Sequence, residues 1–369
     1  MRRSALYPDP RGHSQRPLIT VRPGMVLAAF IAVAAAAGIS VSLVQRPPPS
    51  HPAPRVTPAP VGPTPVPRQP SVAFAFSVAD DASTGDVVLF GGVSNFADTW
   101  AWNGARWTLL RPANSPQGRY EASAAFDPQS GQVLLFGGHL QSGTPVNDTW
   151  GWDGTNWQEL STGGTGEPPP GGSQMAWDPA HNQMLLVTQA ATPSGGGQTW
   201  IWTGTHWLRQ RSGTLGTIGS SILVAYDPIS RAMLAEGCCA VQPANLVAET
   251  SSTWRWDGSK WLLVAGADSP SDASAIALDP SRGNLVLCNC NLVGGVVPAL
   301  WTWNGERWVM LATDRVPPQP QAEVADITHS QLLLLGFAVS GAQSIAQPVE
   351  TWSLRGSAWR LLDAGPASP

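Results

Sequence analysis

The chain has 369 residues, of which only 12% are charged, with 38 Gly, 35 Pro and 18 Trp. Few charges and many turn formers imply an all-β protein of many short strands. Residues 1–70 carry eight Arg and one Asp, whereas the remainder carries 13 basic and 24 acidic groups. An acidic main part with no basic stripe excludes nucleic acid and anionic lipid head groups as partners of that part.

Residues 1–24 are expected to be a short cytoplasmic segment. Met25 to Val44 is an uncharged run of 20 residues. As a helix rising 1.5 Å per residue it would span roughly 30 Å, the thickness of a bilayer's hydrocarbon core. Arg2, Arg3, Arg11, Arg16 and Arg22 precede it, and positive charge stays on the cytoplasmic side. The expectation is a single-pass signal anchor in the cell membrane, with 45–369 on the extracytoplasmic side. The alternative is a secreted chain cleaved near Ala35-Ala36-Ala37. Against cleavage, the apolar run continues through Ile39, Val41, Leu43 and Val44. Gln45 to Pro70 holds eleven prolines. Proline fixes φ and removes a donor, so 45–70 reads as an extended spacer of at most roughly 80 Å.

From Ser71 onward a pattern recurs about every fifty residues. Its clearest copy is Ala122 to Leu160: ASAAFDPQSGQVLLFGG, a loop, then NDTWGWDGTNWQEL. The second half returns six times, with its first Trp at 100, 150, 200, 254, 301 and 352. Each copy reads as four strands, here called A to D. Strand A ends on Ala plus a large residue, as in Ala125-Phe126 or Ala225-Tyr226. An Asp-Pro turn follows, and strand B is a short apolar run such as Val133 to Phe136. Strand C carries Trp-x-Trp, and Asp153-Gly154 or Asn103-Gly104 turns the chain into strand D. Units of this kind cannot bury both faces alone, so they stack as blades. The expected fold is an all-β, six-bladed β-propeller of four-stranded antiparallel blades. The blades fall near 71–111, 119–160, 172–210, 219–264, 272–311 and 321–362. They follow the transmembrane helix at 25–44 and the Pro-rich linker at 45–70.

Leu89 to Gly92 and Leu135 to Gly138 spell Leu-Phe-Gly-Gly ahead of the Trp pattern. In this the repeat resembles the kelch family. The resemblance implies a propeller of the galactose-oxidase type. It departs from that pattern where the double Gly is lost in blades three to six, where Leu354 replaces the middle Trp, and where Asp80 stands in place of an aromatic. The A–B and C–D turns are short and stereotyped, whereas the B–C loops vary from Val93–Ala97 to the long Cys239–Ser251 and Phe337–Val349. Variable loops on a rigid scaffold are where function is expected.

Seventeen of the Trp fall on repeat positions and Trp177 on a strand A. Aromatic rings stack sugars, but recurrence in every blade assigns them to packing. Cys238 and Cys290 align with the second Gly of Gly-Gly, Cys239 follows directly, and Cys288 aligns with Phe136. Four cysteines outside the cytoplasm suggest disulfides across blades four and five, with three connectivities open. A four-thiolate zinc site is the alternative, although the spacing does not match zinc ribbons. Galactose oxidase implies copper held by His and Tyr. The propeller region has four His and two Tyr in no matching motif, so no cofactor is expected. Asp153-Gly154-Thr155-Asn156-Trp157 only superficially resembles a sialidase Asp box. Asp98, Asp148, Arg119 and His139 are the candidate contacts on the loop face. The functional expectation is an extracytoplasmic binding module for a protein or a cell-wall glycan. An extracytoplasmic carbohydrate-active enzyme on the same scaffold is the alternative.

Overall fold

The computed structural model describes residues 69–363 except 73–74, 94–95, 190–195, 213–214, 216–220, 239–250, 271–272, 290–298, 314–316, 318–319 and 338–346. The Met25–Val44 run and most of the Pro-rich segment lie outside the described residues, as do most of the long B–C loops after Cys238, Asn289 and Phe337. Among the described residues no helix is long and apolar enough to cross a membrane.

Strand β1 (Ser71–Val72) precedes the first blade, which is β2 (Ser77–Asp81), β3 (Asp86–Phe90), β4 (Thr99–Trp102) and β5 (Trp107–Leu110). The second adds a two-stranded ribbon, β6 (Arg119–Tyr120) with β9 (His139–Leu140), to β7 (Ser123–Asp127), β8 (Gln132–Phe136), β10 (Thr149–Trp152) and β11 (Trp157–Ser161). The third is β12 (Ser173–Asp178), β13 (Gln183–Thr188), β14 (Gln198–Trp202) and β15 (Trp207–Gln210). The fourth is β16 (Ser221–Asp227), β17 (Ala232–Cys238), β18 (Ser251–Trp256) and β19 (Trp261–Ser269). The fifth is β20 (Ala275–Asp279), β21 (Asn284–Asn289), β22 (Ala299–Trp303) and β23 (Trp308–Leu311). The sixth is β24 (Pro320–Asp326), β25 (Gln331–Phe337), β26 (Gln347–Arg355) and β27 (Ala358–Asp363). Each blade is an antiparallel meander paired in chain order. The six blades form an all-β propeller.

Ser71 and Val72 do not join the first blade. They pair with Pro348 and Gln347 of β26, and the Val349 amide donates to the Pro70 carbonyl at 2.9 Å. The long β26 extends beyond its partner β27 and leaves an edge that β1 covers, which removes an exposed edge.

The core sits between blades rather than within them. Among the described residues there are six buried clusters, and each joins two adjacent blades. Val87, Leu89 and Trp100 of the first blade pack with Leu333, Leu335 and Val349 of the sixth, which closes the ring. The strand B runs are buried on both faces: Leu134 and Phe136 face the third blade, while Val133 and Leu135 face the first. Alternation along a strand produces this division directly.

The A–B turns have a shared physical basis. Asp81, Asp127, Asp178, Asp227, Asp279 and Asp326 end the A strands, and all are buried. Each carboxylate accepts hydrogen bonds from residues of its own turn, such as the Ser83 amide and hydroxyl at 3.1 and 2.5 Å. The position that closes the turn is Gly85, Gly131, Asn182, Arg231, Gly283 or Ser330, and in every blade it has positive φ. That conformation favours Gly and tolerates Asn.

Candidate functional site

The described surface holds a groove of about 640 Å³ between the first two blades. One wall is blade two: Trp150, Asp153, Asn156, Trp157, Gln158 and Glu159. The other is Ala113, Asn114 and Ser115, from the segment that connects β5 to the second blade. That segment is pinned by the Asn114 amide, which donates to Asn156 Oδ1 at 2.7 Å. Trp157 is buried, and Phe90 meets it edge-on at 5.3 Å. Trp150 is only half-buried, and its indole N–H donates to Asp148 Oδ2 at 2.8 Å. The ring is thereby held in one orientation.

The polar rim is anionic. Asp153 Oδ1 accepts from the Thr155 hydroxyl at 2.7 Å and from the Thr155 and Asn156 amides at 2.8 Å. These donors, the hydroxyl first, hold the Asp153 carboxyl below the usual range. Glu159 lies directly across the sheet from Trp150 and is exposed. Besides its aromatic wall the lining contains two carboxylates, four amide or hydroxyl side chains and no cationic group. An oriented indole beside carboxylates and amides is a surface that stacks an apolar ring face and accepts from hydroxyl groups.

The candidate loop-face residues are placed around the same two blades. Arg119 is 1% exposed and pairs bidentately with Asp148, at 2.6 and 2.8 Å. Two further donors go to the carbonyls of Gly137 and Gln117 at 2.9 and 3.0 Å. The two Nη arms therefore tie the β6 segment to the B–C loop, while the Nε–H closes back on its own segment. Through Asp148 the same tie reaches Trp150. His139 stacks on Tyr120 at 5.4 Å, and its Nδ1 lies 3.3 Å from Glu121 without hydrogen-bond geometry. Asp98 lies 3.6 Å from the exposed guanidinium of Arg111, while its carbonyl accepts from the Gly91 amide at 3.0 Å. Of the four, only Asp148 is connected to the groove. The blade-two wall of the groove lies on strands C and D and the turn between them, the regular part of the repeat, rather than on the variable B–C loops.

The double glycines of blades one and two also have a cause here. A Cβ on Gly91 would stand 2.4 Å from the Arg119 carbonyl oxygen, and one on Gly138 2.7 Å from the Tyr120 carbonyl oxygen. The β6 segment crosses too close for any side chain.

Cys288 is fully buried and packs with Leu332, Leu334 and Trp352 of the sixth blade, on the side away from the fourth. The backbone of Cys238 pairs with Ser221; Cys239 and Cys290 lie outside the described residues. Among the described residues no group of three His, Cys, Asp or Glu side chains could hold a metal ion.

No family model and no curated protein matches the chain. Solved structures do. The fucose-specific lectin from Aleuria aurantia superposes with a TM-score of 0.55 at 15% identity, over 82% of this chain and 99% of the lectin. SapL1 lectin, solved with α-methyl fucoside, gives 0.54 at 14% identity, over 81% and 99%. YjhT gives 0.54 at 14% identity, over 81% and 98%. At such identities the likeness establishes the six-bladed propeller and nothing finer.

Proposed function

We propose that the chain is a carbohydrate-binding module, tethered to the membrane by Met25–Val44 and displayed outside the cytoplasm on the Pro-rich segment 45–70. The observation that carries this reading is the groove beside Trp150. It offers an oriented, half-buried indole flanked by Asp153, Asn156, Gln158 and Glu159. Pyranose rings present an apolar face and a rim of hydroxyl donors, and these match an aromatic platform and carboxylate acceptors. The anionic rim and the acidic propeller favour a neutral saccharide over a uronate, a sialoside or a phosphate-bearing polymer. Structural similarity to lectins of known sugar ligand supports the same class.

The surrounding features fit an extracytoplasmic location. No cysteine thiol is free among the described residues, and we read Cys288 as half of a disulfide formed in an oxidising compartment. We read the Leu-Phe-Gly-Gly elements as a resemblance to the kelch repeat.

The test is binding of the full chain, in a detergent without a sugar head group, to isolated cell-wall material and to a panel of neutral and anionic glycans. Saturable binding competed by a free neutral sugar is the expected result. Failure to bind any glycan on the panel would rule the reading out.

A further inference from the structure

The repeat builds six versions of the same cross-strand pair, and the chain has furnished them differently. In each blade one residue of strand D lies directly opposite the first Trp of strand C. The pairs are Trp100–Leu109, Trp150–Glu159, Trp200–Arg209, Trp254–Leu263, Trp301–Met310 and Trp352–Leu361. Residues directly opposite on neighbouring strands share a face. The first Trp packs toward the preceding blade, as Trp100 does with Leu333 and Leu335, and Trp150 with Val88 and Phe90. Each pair therefore looks into the groove between its own blade and the one before.

Two requirements sort the six. A stacking ligand needs an indole that is not already covered, and Trp100, Trp200 and Trp352 are buried. Trp150, Trp254 and Trp301 are the half-buried ones. A hydroxylated ligand also needs an acceptor beside the ring, because hydroxyls that lose water without a new partner cost free energy. Opposite Trp254 stands Leu263, 55% exposed, and opposite Trp301 stands Met310, 62% exposed. Neither side chain can accept a strong hydrogen bond. Opposite Trp150 stands Glu159; the turn acceptor Asp153 has counterparts in Asp257 and Asn304, so Glu159 is the acceptor that the other two lack.

We infer that Glu159 is the residue that selects the ligand, and that the chain binds one saccharide, in the groove between blades one and two. The inference rests on the carbohydrate-binding reading above and adds its stoichiometry and its selecting side chain. A tethered chain with one site would gain avidity only from neighbouring copies on the same membrane.

Isothermal titration of the full chain with the methyl glycosides of fucose, galactose, mannose and glucuronic acid tests this. The wild type is expected to take up one equivalent of a neutral glycoside per chain and to reject the glucuronide. Glu159→Leu reproduces the pair found in blade four. It should weaken binding roughly 10- to 100-fold, the loss of one hydrogen bond to a charged group. Glu159 is exposed, so the variant should melt as the wild type does. Met310→Ala should leave both affinity and stoichiometry unchanged. Two or more equivalents per chain, or a Glu159→Leu variant within twofold of the wild type, would overturn the inference while leaving carbohydrate binding in place. A wild type that takes up none of the four glycosides would overturn this inference, and silence toward the wider panel as well would remove the function it rests on.

Discussion

Trp107 of the first blade donates its indole N–H to the Thr351 hydroxyl of the sixth at 2.8 Å, across 244 positions of sequence. The same bond links four of the five other neighbouring pairs. Trp157 donates to Thr99, Trp207 to Thr149, Trp261 to Thr199 and Trp308 to Thr253, all within 3.0 Å and all buried. The ring closes through the same bond that spaces its blades.

That closure can be tested. Thr351→Val keeps the shape of the side chain and removes the acceptor, leaving the Trp107 N–H unpaired in the core. A buried donor without a partner costs about 1–3 kcal/mol. Urea unfolding should show a loss of that size. A double-mutant cycle with Trp107→Phe should return a coupling of about 1 kcal/mol. Additive effects would mean that the bond contributes nothing to closure.

Arg119 and Asp148 form the second long-range tie. Arg119→Met leaves the Asp148 carboxylate beside a buried apolar chain, and breaking one side of a buried pair costs about 3–5 kcal/mol. Because Asp148 also orients Trp150, the variant should lose saccharide affinity along with stability. A stability change below about 1 kcal/mol by urea titration would show that the pair is open to solvent.

Two glycines with nearly the same φ should respond differently. Gly91 (φ 70°) and Gly131 (φ 69°) both occupy the left-handed region. An added Cβ at Gly131 meets nothing within 4 Å, whereas at Gly91 it would stand 2.4 Å from the Arg119 carbonyl oxygen. Gly131→Ala is expected to cost about 1 kcal/mol from the backbone alone. Gly91→Ala should cost at least about twice that, because β6 must move. Equal melting temperatures would contradict the close crossing.

Much of the fold is legible in the sequence, for reasons these residues show. The Thr-Trp step at 99, 149, 199, 253 and 351 is the acceptor and core anchor of each interface. The Asp that ends each strand A is the cap of its turn. Both are local and recur, the step five times and the cap six, so one chain supplies several copies of the evidence. The sixth interface has Leu300 at the Thr position, and the change is visible as Ala-Leu-Trp. What is not legible depends on where non-repeating segments run. Ser71 and Val72 lie next to the first blade in sequence but pair with the sixth. Arg119 and Asp148 look like loop residues and prove to be a buried pair. The groove depends on the path of Ala113 to Ser115 and on Trp150 staying half-buried where Trp100 is covered. The repeat places the two Trp identically, so only packing separates them.

The last prediction concerns pH. Asp80 stands where strand A of blades two to five carries Phe126, Trp177, Tyr226 or Leu278, at the seam between the first and sixth blades. Its Oδ1 accepts the Ile327 amide at 3.0 Å. Burial, with the nearby Asp326 and Asp81 carboxylates, raises its pKa to about 6, while the Ile327 amide and His329 oppose the rise. An acid whose folded pKa lies above its unfolded value of 3.8 favours folding while protonated. Its contribution is fully present below pH 3.8 and is lost as pH rises through about 6. Asp80→Asn keeps an oxygen for the Ile327 amide and removes the titration. Two units at 1.36 kcal/mol each bound the effect, so the variant should be more stable than the wild type by about 1–3 kcal/mol at pH 7.5. At pH 3.5 the two should be equal. Glu236, raised to about 7 chiefly by burial and hydrogen-bonded to Thr253 at 2.6 Å, predicts the same sign for Glu236→Gln, with the crossover displaced upward by about one pH unit. Urea titrations of the three chains at both pH values provide the check. A gain for Asp80→Asn that does not change between pH 3.5 and 7.5 would show that its carboxyl is solvated and that the seam carries no charge cost.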